Sequence, residues 1–239
     1  MKPMNKKVTS LLATASIFAS SAAVAVIDSP FKSYIGADAQ IRHMSFQKGY
    51  GDNLFKHDIT QGNVFFGIPL TENFRIEAGY EANPETSRTV YLSRGDISAG
   101  SPVLTTRQNT STSRIHGPHL SLSAVMPIKN NPDFKLVGSL GVAHLTMNLT
   151  RNTNFFLLGG IKVLPSALGE TGVTTFSQTK NILKLSLGFE YDISKNWGFR
   201  TLAGWENTKK FQMASLVDGT GSVKPRNSML YSMGVFLKL

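Results

Sequence analysis

The stretch Leu183-Lys184-Leu185-Ser186-Leu187-Gly188-Phe189-Glu190-Tyr191-Asp192-Ile193, then Ser194-Lys195-Asn196, then Trp197-Gly198-Phe199-Arg200-Thr201-Leu202-Ala203-Gly204-Trp205-Glu206, decides the fold. Leu183, Leu185, Leu187, Phe189, Tyr191 and Ile193 alternate with Lys184, Ser186, Gly188, Glu190 and Asp192. Successive strand side chains point to opposite faces, so this strand has one apolar and one polar side. The short polar turn centres the hairpin on Lys195. In that register Glu190 faces Arg200 and Lys184 faces Glu206, while Tyr191 faces Phe199 and Ile193 faces Trp197. A single register thus pairs opposite charges on one face and apolar groups on the other, as antiparallel pairing favours. It predicts two salt bridges, Glu190–Arg200 and Lys184–Glu206.

Working outward, the same alternation recurs in runs near 33–46, 57–70, 73–82, 114–128, 134–149, 181–193, 197–208 and 227–239. Their connections alternate strictly between long (47–56, 83–113, 150–180, 209–226) and short (Thr71-Glu72-Asn73, Lys129 to Asp133, Ser194 to Asn196). A soluble globule has no reason to keep all its long loops at one end. A barrel threaded through a membrane does, because its two rims face different compartments. The polar faces carry Arg42, Arg75, Lys135, Lys184, Arg200 and Lys238 against Asp38, Glu77, Glu81, Glu190, Asp192 and Glu206. Equal numbers suit a closed interior in which charges must pair. Trp197 and Phe199 open their strand and Trp205 lies near its far end, a spacing of about 21 Å along the normal at ~3.4 Å per residue and a roughly 40° tilt. Tyr34, Phe74 and Phe134 mark the same rim as Trp197, with Phe46 and Tyr80 toward the other. The expected fold is all-β: an eight-stranded antiparallel up-and-down transmembrane β-barrel with four long extracellular loops.

Residues 1–25 read as an export signal rather than structure. Lys2, Lys6 and Lys7 form a basic start, Val8 to Ala19 is apolar, and Ala23-Val24-Ala25 is a small-residue cleavage site, leaving a barrel domain at 26–239. Cysteine is absent, which removes disulfides and thiolate chemistry. The formal net charge is +10. The four long segments hold 12 Lys/Arg against 5 Asp/Glu, so the positive excess of residues 26–239 sits on one set of loops. Such loops suit the phosphates of lipopolysaccharide or an acidic cell surface.

The last strand, Ser232-Met233-Gly234-Val235-Phe236-Leu237-Lys238-Leu239, resembles the C-terminal assembly signal of small OmpA-like, eight-stranded bacterial outer-membrane barrels, with Gly234, Leu237 and Leu239 in the signal positions. It ends in Leu239 where Phe is commoner. The hairpin Gly67-Ile68-Pro69-Leu70-Thr71-Glu72-Asn73-Phe74-Arg75-Ile76-Glu77-Ala78-Gly79-Tyr80 is also similar to those barrels. The resemblance implies passage through the periplasm, insertion by the barrel assembly machinery and residence in a Gram-negative outer membrane. No wall-anchoring domain is expected after the barrel.

No nucleotide loop, zinc motif or nucleophile elbow is present, and no metal, cofactor or nucleic acid is expected. His119-Leu120-Ser121 resembles the His-x-Ser of barrel-type lipid A deacylases, but Leu122 follows where that family has Asn. Asp133 would lie at the opposite rim. A base and nucleophile without an orienting acid is a poor constellation, so no enzyme is expected. Arg94-Gly95-Asp96 reads as an integrin-type tripeptide. Thr89 to Leu92 and Val103 to Thr106 would extend the wall as a hairpin with this motif near the tip. The apolar run Phe155 to Pro165 is expected to pack over the barrel mouth. The expected role is a surface contact, in adhesion or cell protection, made by basic loops around a plugged interior, with a host-cell receptor as one partner. A small pore ranks second and a lipid A-modifying enzyme third.

Overall fold

A computed structural model describes residues 32–46, 55–98, 101–157, 162–163, 172–211 and 225–239; for 92–98, 101–105, 157, 163 and 210 only the backbone is described. The export signal at 1–25 lies outside the described residues, as does much of the long loops. The strands are β1 (Tyr34–Phe46), β2 (Asp58–Pro69), β3 (Phe74–Ala82), β4 (Thr86–Ser98), β5 (Ser101–Ile128), β6 (Asn131–Leu157), β7 (Lys162–Val163), β8 (Val173–Asp192), β9 (Trp197–Glu206) and β10 (Pro225–Lys238). Eight of them form a closed antiparallel ring in the order β5, β3, β2, β1, β10, β9, β8, β6, with β6 returning to β5. The first and last strands seal it, from Tyr34↔Lys238 to Phe46↔Pro225. β4 and β7 are additions, paired to β5 and β6 beyond the ring.

The tight turns follow from their hydroxyl residues. Thr71 Oγ1 accepts from the backbone N–H groups of Asn73 (3.2 Å) and Phe74 (3.0 Å). Ser194 Oγ accepts from the N–H of Trp197 at 3.1 Å. Such side-chain bonds replace water at a turn and fix the hairpin register. The β8–β9 ladder runs Lys184↔Glu206 through Glu190↔Arg200 to Asp192↔Gly198. At the middle tight turn β6 begins at Asn131, earlier than the alternation suggests, with a bulge at Pro127 and Ile128.

The apolar faces look outward. Leu187 is 69% exposed, Trp197 50% and Tyr231 52%, whereas Arg42, Glu81 and Glu206 are fully buried. This is the polarity of a membrane barrel. The outward apolar set of β8 spans Leu183 to Ile193, about 26 Å at ~3.4 Å per residue and a roughly 40° tilt, against a band of ~25 Å.

Above that band the polarity inverts. On β1 the outward residue after Ile41 is His43, and on β6 the one after Val142 is His144. On β8 the one above Leu183 is Asn181. Inward, the charged side chains give way to Met44, Phe46, Phe55, Ile59, Ile115, Leu145, Met147, Leu149, Ile182 and Phe211, one buried apolar cluster. The chain here changes from a lipid-solvated barrel to a water-solvated one with an oily core. The strands therefore extend further than the lipid-type alternation indicates. The β5–β6 ladder continues from His116↔Thr146 to Thr105↔Leu157, about 30 Å more at ~3.4 Å per residue and the same tilt. Asn83 splices β4 into this extension, its side chain donating to the Ser113 carbonyl (3.2 Å) and accepting from the Ile115 N–H.

Because the extension stands on one rim and the three tight turns on the other, an epitope inserted after Asp96 is expected to label on intact cells. One inserted at Asn131 is expected to label only after permeabilisation, and labelling of Asn131 on sealed cells would contradict this orientation.

Candidate functional site

Inside the lipid-facing band lies a lattice of buried charge. Arg42 on β1 binds Glu81 on β3 (2.8 Å) and Glu206 on β9 (2.7 Å), and donates to Gln61 on β2 at 2.6 Å. Lys184 on β8 reaches the same two carboxylates, Glu81 at 2.6 Å and Glu206 at 3.2 Å. One layer toward the tight turns, Arg200 binds Asp38 (2.6 Å) and Glu77 (2.9 Å). Arg75 binds Glu190 through a two-bonded fork, and Tyr34 donates its hydroxyl to Glu77 at 2.6 Å. At the rim Asp192 sits between Lys135 and Lys238 (2.7 Å to the latter).

The predicted pairs are thus placed differently. Lys184 and Glu206 meet. Glu190 and Arg200 face each other across the ladder, yet each binds elsewhere: Glu190 takes Arg75, and Arg200 takes Asp38 and Glu77. The reason is geometric. In a narrow closed lumen a long guanidinium spans to other walls and there finds two acceptors instead of one, a stronger charge-assisted arrangement. Sequence reasoning named all twelve charges but could not assign partners between strands distant in sequence.

Apolar layers bound the lattice. The cluster above Arg42 closes it toward the extension. Toward the tight turns, Tyr34, Phe65 and Phe236 form a second buried cluster, with the Tyr34 and Phe236 rings 5.6 Å apart and the Arg200 guanidinium 3.5 Å over Phe65. The rings fit because glycines lie beneath them: a Cβ at Gly36 would come within 2.2 Å of Phe65, and one at Gly198 within 2.1 Å of Phe236. A small cavity between the lattice layers, about 50 Å³ in volume, is lined by His119, Ser121, Lys184 and Arg200 among others. It has room for water molecules only.

The remaining sequence-derived candidates separate in space. His119 points into this lumen, its Nε2 2.8 Å from Asn63 Oδ1, and Ser121 lines the same cavity. Arg94, Gly95 and Asp96 lie in β4 near its far end, backbone-paired to Thr105, Leu104 and Val103; their side chains lie outside the described residues. Phe155 of the apolar run is buried, with the Arg107 guanidinium 5.5 Å over its ring, while residues 158–161 and 164–165 lie outside the described residues. Gly234 of the assembly signal lies where a Cβ would meet the Ala37 carbonyl and an Asp38 oxygen at 2.2 Å, so the closing ladder needs a glycine there. Leu239 is exposed at the rim, its N–H donating to the Ser33 carbonyl at 2.8 Å. Among the described residues no group of three His, Asp or Glu is placed to hold a metal.

The sequence matches the family model of the outer membrane protein β-barrel domain over residues 9–230. No curated protein matches it. Among solved structures the chain is similar to the neisserial surface protein NspA (15% identity, 87% of this chain and 97% of that one, TM-score 0.45). It is similar also to Ail, the attachment invasion locus protein of Yersinia pestis (12% identity, 87% and 99%, TM-score 0.41). A third is OprG of Pseudomonas aeruginosa (14% identity, 87% and 96%, TM-score 0.47).

Arg200→Ala leaves buried Asp38 without its cation and Glu77 with Arg75 alone (3.1 Å), and is expected to cost about 3–5 kcal/mol in urea unfolding of the refolded barrel. Exchanging the facing pair, Glu190→Arg with Arg200→Glu, is expected to give no rescue, because it puts a second guanidinium beside Arg75 and a third carboxylate beside Asp38 and Glu77. Recovery of stability in the exchanged protein would contradict the cross-lumen pairing.

Proposed function

As the chain belongs to the outer membrane β-barrel family and resides in the Gram-negative outer membrane, we propose that it acts as a surface-contact protein. Its working part is the extracellular extension with its basic loops, and the barrel serves as an anchor. The observation that carries this reading is the crowded interior: ion pairs cross the lumen through the band, with apolar clusters on either side of them. An eight-stranded lumen is just wide enough to be filled by side chains, and here cross-lumen ion pairs occupy it. That weighs against the second reading, a small pore. The third reading, lipid A modification, is disfavoured by direction: His119 faces the lumen and is bonded to Asn63, whereas a lipid substrate would approach from outside.

In this reading the barrel assembly machinery recognises the strand bearing Gly234, Leu237 and Leu239, and the sheet formed by β4, β5, β6 and β8 presents the loops to an acidic partner such as lipopolysaccharide or a host surface. Arg94, Gly95 and Asp96 stand near the far end of β4, where a host receptor would meet them. Cells expressing the protein are expected to attach to host cells or matrix several-fold better than cells lacking it. If the tripeptide carries attachment, Asp96→Glu abolishes it with the folded barrel undiminished; if the basic loops carry it, attachment survives Asp96→Glu and falls with added salt. Equal attachment with and without the protein, together with discrete ion steps in planar bilayers, would favour the pore instead.

A further inference from the structure

The tight-turn rim surrounds a hollow that the charge lattice does not fill. It is a cavity of about 410 Å³ at the mouth of the lumen. Its floor is the Arg75–Glu190 fork beside Tyr34 and Phe236, and its flanks include Pro69, Val125 and Pro127. A volume of that order lies in the ~300–1,000 Å³ range of small-ligand clefts.

The balance of charge changes at this mouth. In the deepest layer Arg42 and Lys184 share Glu81 and Glu206. In the next, Arg75 and Arg200 meet three carboxylates, those of Asp38, Glu77 and Glu190. At the mouth the ratio reverses, because Lys135 (2.5 Å) and Lys238 (2.7 Å) share the single carboxylate of Asp192. Lys32 and Lys195 line the same hollow, exposed on its lip, and among the described residues neither is in an ion pair. Of the acids in the lining, Glu190 is taken by Arg75 and Glu72 stands exposed on the lip. Four ammonium groups thus line one hollow, and low-dielectric walls focus the field of such a set.

We propose that this hollow binds short acidic peptides, with an apolar side chain seated between the flanks and the carboxylates held by the lysines of the lip. Each ammonium group carries three donors and no acceptor, so the lip selects anions. The floor offers no uncommitted charge, since Arg75 and Glu190 hold each other, and the flanks below the lysines are apolar. An anion with no apolar part would gain nothing from burying those flanks. The order of groups in the site, cations outside and apolar surface within, is therefore that of an amphipathic ligand. The tight-turn rim is the periplasmic one in the orientation argued above, so the ligand is a periplasmic one. The site goes beyond the surface-contact reading, because it gives the barrel a contact on the side of the membrane away from its long loops.

The test uses the full folded protein in zwitterionic micelles, titrated by calorimetry with an amide-capped tripeptide of one phenylalanine and two aspartates. The same peptide with asparagines in place of the aspartates, and inorganic phosphate, are run beside it. The change in gel mobility on heating checks the barrel separately. Lys32→Gln combined with Lys195→Gln is expected to weaken binding of the acidic peptide about fivefold, as the loss of two exposed ion pairs does. Glu72→Gln removes the repelling acid of the lip and is expected to tighten binding about twofold. It decides the matter if the double variant does not fold, and unchanged or weaker binding there would count against the site. Lys129→Gln, at an exposed lysine of the same rim outside the hollow, is expected to leave the affinity unchanged. The neutral peptide and phosphate are both expected to bind the unaltered protein more weakly than the acidic peptide. No binding of the acidic peptide, no loss in the folded double variant, an equal loss in Lys129→Gln, or equal binding of the neutral peptide would overturn the site. Phosphate binding as tightly as the acidic peptide would overturn its apolar half.

Discussion

A peptide backbone inside hydrocarbon must pair every N–H and C=O with itself, since no water is there to take them. In this chain the seal that meets the requirement is the ladder between β1 and β10, which joins residues about two hundred positions apart in sequence. Closure then dictates the rest. Eight strands leave a lumen too narrow for bulk water, so the polar residues that alternate with lipid-facing ones are forced into contact. Twelve charges of balanced sign satisfy one another there.

The same constraint explains why the polarity inverts rather than fades. Where the wall leaves the lipid its outside meets water, and His43, His144 and Asn181 replace Ile41, Val142 and Leu183 as the outward residues. A water-solvated barrel needs an apolar core, so Met44, Leu145, Met147 and Leu149 turn inward. That core in turn caps the charge lattice. The anchor and the rigid base of the extension are thus built from one continuous set of strands, with the change of solvent written into the parity of β1 and β6; on β5 the inward positions beyond Ile115 are Ser113, Ser111, Asn109 and Arg107.

Much of this was legible in the sequence. The strict alternation around Lys195 gave the register of β8 and β9, and the long and short connections gave the ring. Two features were hidden for physical reasons. The partners of Arg200 and Glu190 depend on distances across a closed lumen, which pairwise strand register does not contain. The extensions of β5, β6 and β8 were hidden because their outward Thr, Asn and Ser have loop-like composition. Only the inward Leu145, Met147 and Leu149 betray a continuing strand, with a parity opposite to that of the lipid band. The backbone position of Arg94 to Asp96 followed from the predicted hairpin, whereas its pairing almost to the end of β4 did not.

The inversion is tested most directly by spin labels placed one at a time at outward β6 positions from Leu136 to Asn152 in the reconstituted protein. Collision with dissolved oxygen reports lipid, and collision with a water-soluble nickel chelate reports water. Oxygen is expected to dominate through Val142 and the chelate from His144 onward, with the crossover between those two positions. Oxygen dominance persisting to Thr150, or chelate access at Leu140, would contradict the account.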